Sequence, residues 1–298
     1  RTEGVRNESA ANGRLAMIEA LEKVSNLAVL TYVVSSMLVM GMSQRLRDVV
    51  APLKNPRMVG VALAVNFIAA PLLALLLSRL IPLQPAHAVG LLLLSGAAGS
   101  PFIPKLAEVA DGNLAYSVAI MVLLMVGSIV FIPFALPFIV PGLSADPWSI
   151  AKPLILTMML PLALGFVLSA RWAQASERVL PFLRKLSSLA FLLLLVLMVG
   201  LNIQALVDTL GSFAIGTYLL FVLAVLVLGY AVGGDDLRTR GVFAISSAQR
   251  NTSAALVVAV ESLNDPAVVV MLLVSAMAGL VILLGTPRLL RVRLAKVN

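Results

Sequence analysis

The sequence predicts an all-α, polytopic membrane protein built as an inverted repeat. Three observations carry that prediction. The 298 residues are 60% hydrophobic and only 12% charged, with a mean hydropathy of +1.04; a soluble domain is about half apolar and a quarter charged. Nine apolar segments of bilayer length follow one another along the chain. Two of them are interrupted by polar, helix-breaking residues, in corresponding places of the two halves.

Taken in order, residues 1–24 are polar and of mixed charge. They contain no apolar run with a small-residue cleavage site, so no signal peptide is expected in them. Residues 14–24 have helical apolar spacing and suit a short amphipathic segment on the membrane surface. Spans are expected at 25–43, 57–81, 86–110, 113–139, 149–169, 187–206, 211–233, 241–263 and 266–286, followed by a tail at 287–298. Residues 25–140 form a first repeat of four spans, the third broken (86–110). Residues 187–286 form a second repeat of four, again with the third broken (241–263). The single span 149–169 between them turns the second repeat over, which makes the topology inverted.

Basic residues cluster in alternate loops: Arg45, Arg47, Lys54 and Arg57; Arg171, Arg178, Arg184 and Lys185; Arg238 and Arg240; and Arg288, Arg291, Arg293 and Lys296 in the tail. The opposite loops, near Gln84, Asp146, Asp208 and Asn264-Asp265, have only Arg79 and Lys152 beside them. The positive-inside rule therefore puts the C-terminus in the cytoplasm and the N-terminus outside. The short loops suit a prokaryotic inner membrane or an organelle derived from one. The net charge of +8 resides in these loops, so it signals topology and not nucleic-acid binding.

The first break reads Gly96-Ala97-Ala98-Gly99-Ser100-Pro101-Phe102-Ile103-Pro104-Lys105; the second reads Ser246-Ser247-Ala248-Gln249-Arg250-Asn251-Thr252-Ser253. Lipid cannot bond to an unwound backbone, so such breaks survive only where protein or a water-filled cavity satisfies them. A matched pair of breaks is the sequence mark of a transport site near the midplane. Ser100-Pro101 predicts a half-helix over 100–110, with Ser100 as cap and Pro101 in the first turn. Asn251, Thr252 and Ser253 offer the same capping chemistry for a second half-helix. Two helix N-termini meeting at mid-membrane favour an anion.

Three stretches carry a family resemblance. Met37-Leu38-Val39-Met40-Gly41-Met42 is similar to an M-x-x-x-G-M/L pattern. Ser100, Leu106-Ala107 and Gly112-Asn113-Leu114-Ala115-Tyr116-Ser117 are similar to S-N-x-x-x-x-L-A-x-G-N-x-A-L-S, with about three residues inserted at Glu108–Asp111. Asn251-Thr252-Ser253-Ala254-Ala255-Leu256 is similar to Q-N-x-G-L-A-x-A-L. In order and spacing they resemble the bile acid:sodium symporter (BASS) family over residues 25–286, as a divergent member. The resemblance implies a panel domain, a core domain in which the broken helices cross, and sodium-coupled uptake of organic anions. Arsenite permeases share the fold but resemble the chain less well, and their characteristic thiol is missing because there is no cysteine.

The chain departs from the family where sodium ligands are expected. The Asn after Ser100 is Pro101. The hydroxyl positions after Gly112-Asn113 are Met121, Val122, Leu124 and Met125. The acidic residue of the second break is Ser246, and the Gln before Asn251 is Arg250. Asn66 lies near where the family has a Gln. Ser100, Asn66 and Ser246 remain as residual sodium candidates. The residues expected to bind substrate are Asn66, Ser100, Pro101, Lys105, Gln249, Arg250, Asn251 and Thr252.

A charge inside a membrane is costly and functional by default. Arg250 and Lys105 either replace bound cations or hold a substrate carboxylate. The alternatives are that Arg250 clamps backbone carbonyls at the break, and that Lys105 snorkels to the cytoplasmic face or pairs with Glu108 or Asp111. His87 is expected at a segment end near the interface, Thr157 bonded to its own helix, and Asn202 and Gln204 at an interface. No cofactor, nucleophile motif or metal spacing is present. The expectation is therefore a non-enzymatic secondary transporter of an organic anion. The competing readings are a non-transporting sensor on the same fold and a sodium symporter with rebuilt ion sites.

Overall fold

The computed structural model describes residues 2–50, 52–139, 146–201, 207, 209 and 212–297. Asn202, Gln204 and Asp208 lie outside the described residues. The described chain is helical: α1 (Thr2–Ser43), α2 (Pro56–Leu80), α3 (Pro85–Gly96), α4 (Ile103–Val109), α5 (Leu114–Ile139), α6 (Pro147–Arg171), α7 (Ala173–Leu201), α8 (Ala214–Val232), α9 (Leu237–Ala248), α10 (Thr252–Val258) and α11 (Pro266–Val297). Among the described residues, five stretches are long and apolar enough to cross a membrane: Lys23–Ser43, Pro56–Leu80, Leu114–Phe138, Pro147–Arg171 and Ala214–Val232. Large apolar side chains cover the outside, Phe138 at 91% exposure among them. A surface of that kind is stable against lipid tails and not against water.

Three helices run past the ends expected for their segments. Residues 2–24 are continuous with the first span in α1, whose 42 residues span roughly 60 Å, about twice a bilayer core. The basic stretch after the fifth span is mostly the start of α7, because Ala173–Leu201 keeps one helical register through Arg178, Arg184 and Lys185. Residues 287–297 likewise extend α11.

Helices α2 and α6 each contain a π turn, Val65–Ala69 and Ile155–Met159. Each is followed two residues later by proline, Pro71 and Pro161. Proline offers no amide and its ring crowds the carbonyl four residues back. The preceding turn widens instead, with Ala70 N–H reaching Val65 O and Leu160 N–H reaching Ile155 O. Thr157, in the second π turn, donates to Pro153 O at 2.6 Å, the bond to its own helix that its surroundings predict.

Helix α1 packs along α6 and α7 as one layer. It meets α6 at a pair of glycines: a Cβ on Gly41 would lie 2.9 Å from Gly165 Cα, so the two backbones touch. The remaining helices gather around the two breaks. Helix α8 lies on α9, α11 on α3 and α8, α2 on α3, and α5 on α4 and α9. Helices α5 and α10 carry this second group against the first, through α6 and α1. His87, at the start of α3, is buried against protein; its Nε2 lies 3.2 Å from Thr209 Oγ1.

Candidate functional site

The two unwound segments cross and bond to each other. Asn251 N–H donates to Ala97 O (2.7 Å), Asn251 Nδ2 to Gly99 O (3.1 Å) and Gln249 Nε2 to Ser100 Oγ (3.2 Å). Asn251 also caps α10 by accepting from Ala254 N (3.1 Å). The first break is held from behind by Ser128 of α5. Its Oγ accepts from Ala98 N (2.7 Å) and lies 3.0–3.1 Å from Gly96 O, Ala98 O and Leu124 O. Gly99 has φ +77°, and a Cβ there would enter the Met125 backbone. These freed peptide groups of Gly96, Ala97, Ala98, Gly99 and Asn251 thus find protein partners, as a broken helix inside a bilayer requires.

The predicted half-helix over 100–110 begins later than expected. Residues 101–102 form a turn, Phe102 takes the cap position without a side-chain bond, and α4 starts at Ile103 with Pro104 in its first turn. Of the two prolines, the second fits the helix start, while the first bends the chain into it. Ser100 Oγ still accepts from Phe102 N, at 3.4 Å.

Arg250 sits behind the crossing with 1% of its surface exposed. Its Nη1 donates to Ser95 O (2.9 Å), and its Nη2 to Asn66 Oδ1 (2.7 Å) and Ser247 O (2.5 Å). The three oxygens come from the end of α3, the π turn of α2 and the end of α9. The Phe221 ring lies 5.8 Å from the guanidinium carbon. No Asp or Glu is among the buried residues described. The charge is therefore met by two carbonyl dipoles and one amide, an oxygen set of the kind that ligates a hard cation. Arg has donors only, so Asn66 must turn its oxygen toward it. The Asn66 amide nitrogen then faces Ala62 O (3.0 Å) and Ser247 Oγ (3.4 Å).

Of the residues expected at the site, Asn66, Ser100, Gln249, Arg250 and Asn251 come together at the crossing. Pro101 borders it, and Thr252 opens α10 half-buried. Lys105 does not join them. Its side chain is 71% exposed and pairs with Glu108 at 2.7 Å, because α4 carries it away from the break and Glu108 lies one turn on. Pairing with Glu108 is one of the alternatives its sequence position left open. Ser246 is buried, and its Oγ has no partner among the described residues.

Beside the crossing, between α1, α7 and α4, lies a cavity of about 650 Å³. Pro101, Lys105 and Glu108 line it from one side; Tyr32, Ser36 and Arg184 line it from the other. Three residues at the crossing or on the cavity wall are not singled out by the sequence. Ser128 is visible there only as a lone hydroxyl in the apolar α5. Arg184 reads there as a topology charge. Ser95 contributes through its carbonyl, which leaves no signal in a sequence.

The model of the sodium bile acid symporter family matches residues 30–209. The chain belongs to the sodium bile acid symporter family. Members of this family are transporters, in general coupling sodium to bile acids or other organic anions. No curated protein matches the chain. The match spans α1 to α7, including the first break and Asn66, and stops before the second break and Arg250. Sodium, the family's co-substrate, fits poorly at the Arg250 position. The oxygens that face inward there are already bonded to a guanidinium, and no buried carboxylate stands among the described residues.

Proposed function

We propose that this protein is a secondary transporter of an organic anion, and that Arg250 takes the place of a bound cation in it. The observation that carries the reading is the buried guanidinium held by Ser95 O, Asn66 Oδ1 and Ser247 O. In a transporter coupled to sodium, the ion would bring these three segments together on binding and release them on leaving. A covalently attached cation holds them together at all times. The crossing then stays assembled whatever the sodium concentration, and the transport step loses its dependence on that ion.

In this reading α1, α6 and α7 are the panel. The helices around the breaks are the core, built from two inverted repeats. Alternating access is a movement of the core against the panel, and the substrate binds in the cavity between them. The cation of the site is internal, and at the start of α10 the N–H of Thr252 is taken by Arg250 O and that of Ala254 by Asn251 Oδ1. The anion's partners are therefore side chains of the cavity wall more than helix ends. The basic segments after the first and seventh spans lie at one end, around a cavity of about 620 Å³ lined by Lys54, Arg57 and Thr239. The positive-inside rule makes that the cytoplasmic end, with the C-terminus inside and the N-terminus outside.

The test is the thermal stability of the purified protein against a panel of organic anions, each offered as sodium and as potassium salt. The proposal expects one or more anions to stabilise equally in both. Stabilisation only in sodium would mean that a sodium site exists elsewhere, with Ser246 the first place to look, and would sink the replacement by Arg250.

A further inference from the structure

We infer that Arg184 is the residue that receives the charged group of the transported anion. The inference rests on the transport reading above and goes beyond it in naming the side chain that reads the charge. Three charged side chains stand on the wall of the 650 Å³ cavity: Lys105, Glu108 and Arg184. Lys105 and Glu108 neutralise each other at 2.7 Å. Among the described residues Arg184 has no acidic partner; its Nη2 donates to Ser43 Oγ at 3.3 Å. Ser43 is fixed in turn by its bond to Val39 O at 2.6 Å, so the guanidinium is tethered to α1 at the edge of the cavity. Two positive charges less one negative leave a single positive charge for a ligand to meet.

An arginine has five donors in a planar fork, and the bond to Ser43 uses one. What remains suits a carboxylate or sulfonate bound by two parallel bonds. The rest of the wall is apolar at Val39, Met40, Phe102 and Leu114, with a fringe of serine hydroxyls at Ser36 and Ser187. Such a lining accepts an apolar body carrying a few polar groups, and the volume lies in the range of ordinary small-ligand sites. Arg184 is on α7 while Phe102 and Pro101 flank the first break, so a bound anion touches both layers. Its charge is read by α7, and its body lies between Val39 and Met40 of the same layer and Phe102 and Leu114 of the other.

The experiment uses the full chain, purified, with phenylbutyrate, its neutral amide and the dianion phenylsuccinate as probes in a calorimetric binding titration. Wild type should bind phenylbutyrate more tightly than the amide. Arg184→Gln should weaken phenylbutyrate about tenfold, the equivalent of about 1.4 kcal/mol, and leave the amide unchanged. Arg184→Lys should recover part of the loss. Glu108→Gln frees Lys105 and should shift preference toward phenylsuccinate. Arg184 is exposed, so the variants are expected to fold, and an unchanged melting temperature checks that. Equal phenylbutyrate binding by wild type and Arg184→Gln would overturn the inference, as would wild type binding none of the acids. Uptake of the same acid into liposomes separates this inference from the transport reading. Uptake unaffected by Arg184→Gln defeats the Arg184 assignment alone. Binding through Arg184 without any uptake defeats transport alone.

Discussion

Replacing Arg250 by glutamine removes three hydrogen bonds from a buried site and leaves Ser95 O, Asn66 Oδ1 and Ser247 O facing each other. A buried acceptor without a partner costs about 1–3 kcal/mol, so three cost ~3–9 kcal/mol. Against this stands the several kcal/mol spent on desolvating the guanidinium, which the variant no longer bears. The glutamine amide can also bond to one of the oxygens. The net expectation is a loss of about 2–4 kcal/mol in potassium buffer. Sodium should then do what the guanidinium did. If the vacated oxygens bind it with a Kd of about 10 mM, 100 mM sodium restores about 1.4 kcal/mol. The assay is thermal unfolding followed by circular dichroism in sodium and in potassium. Fluorescence is less suitable, because Trp148 and Trp172 lie on α6 and just past its end and report that layer only. A thiol-reactive dye has nothing to react with, because the chain has no cysteine. A variant as stable as wild type, or a wild type that itself gains stability from sodium, would refute the reasoning.

Other expectations follow from the same geometry. Gly99→Ala should sharply reduce the folded, monodisperse fraction on size exclusion, because the position has φ +77° and a Cβ meets the Met125 backbone. Asn251→Ala should cost about 1–2 kcal/mol from the lost cap alone, and more from the lost bond to Gly99 O, read as a lower melting temperature. Asp236 caps α9, and its carboxyl is held below the ordinary range chiefly by the backbone N–H of Thr239. A depressed folded pKa gives stability that is present above the unfolded value of about 4 and is lost as pH falls through the folded one. Wild type should therefore lose more stability than Asp236→Ala on acidification below about pH 4.

Much of this architecture was legible because membrane folding writes its constraints into composition. Gly96, Gly99, Pro101 and Asn251 cannot continue a helix quietly, and in apolar surroundings their presence marks the breaks. Arg250 was legible as deep because no loop is near enough to receive it. Its partners were not, since two of the three are main-chain oxygens. Asn66 stood out as a lone amide, but the π turn that aims it depends on Pro71, five residues on. The Lys105–Glu108 pair has a local cause: both lie on the short α4, whose start the second proline places three residues later than the sequence suggests. The long helices α1, α7 and α11 run past the ends the sequence suggests because charged residues signal a membrane boundary, yet a helix is free to continue past it. Arg184 was hidden by a correct rule. A positive charge near a loop satisfies the topology rule whether or not it also lines a cavity.

The most direct test of the central claim is uptake of a radiolabelled organic anion, chosen as one that stabilises the purified protein, into liposomes containing wild-type protein. Initial rates are measured with sodium outside and again with potassium in its place. If Arg250 stands where a coupling cation would bind, the two rates are equal and both exceed protein-free liposomes. Uptake that requires sodium would contradict the account.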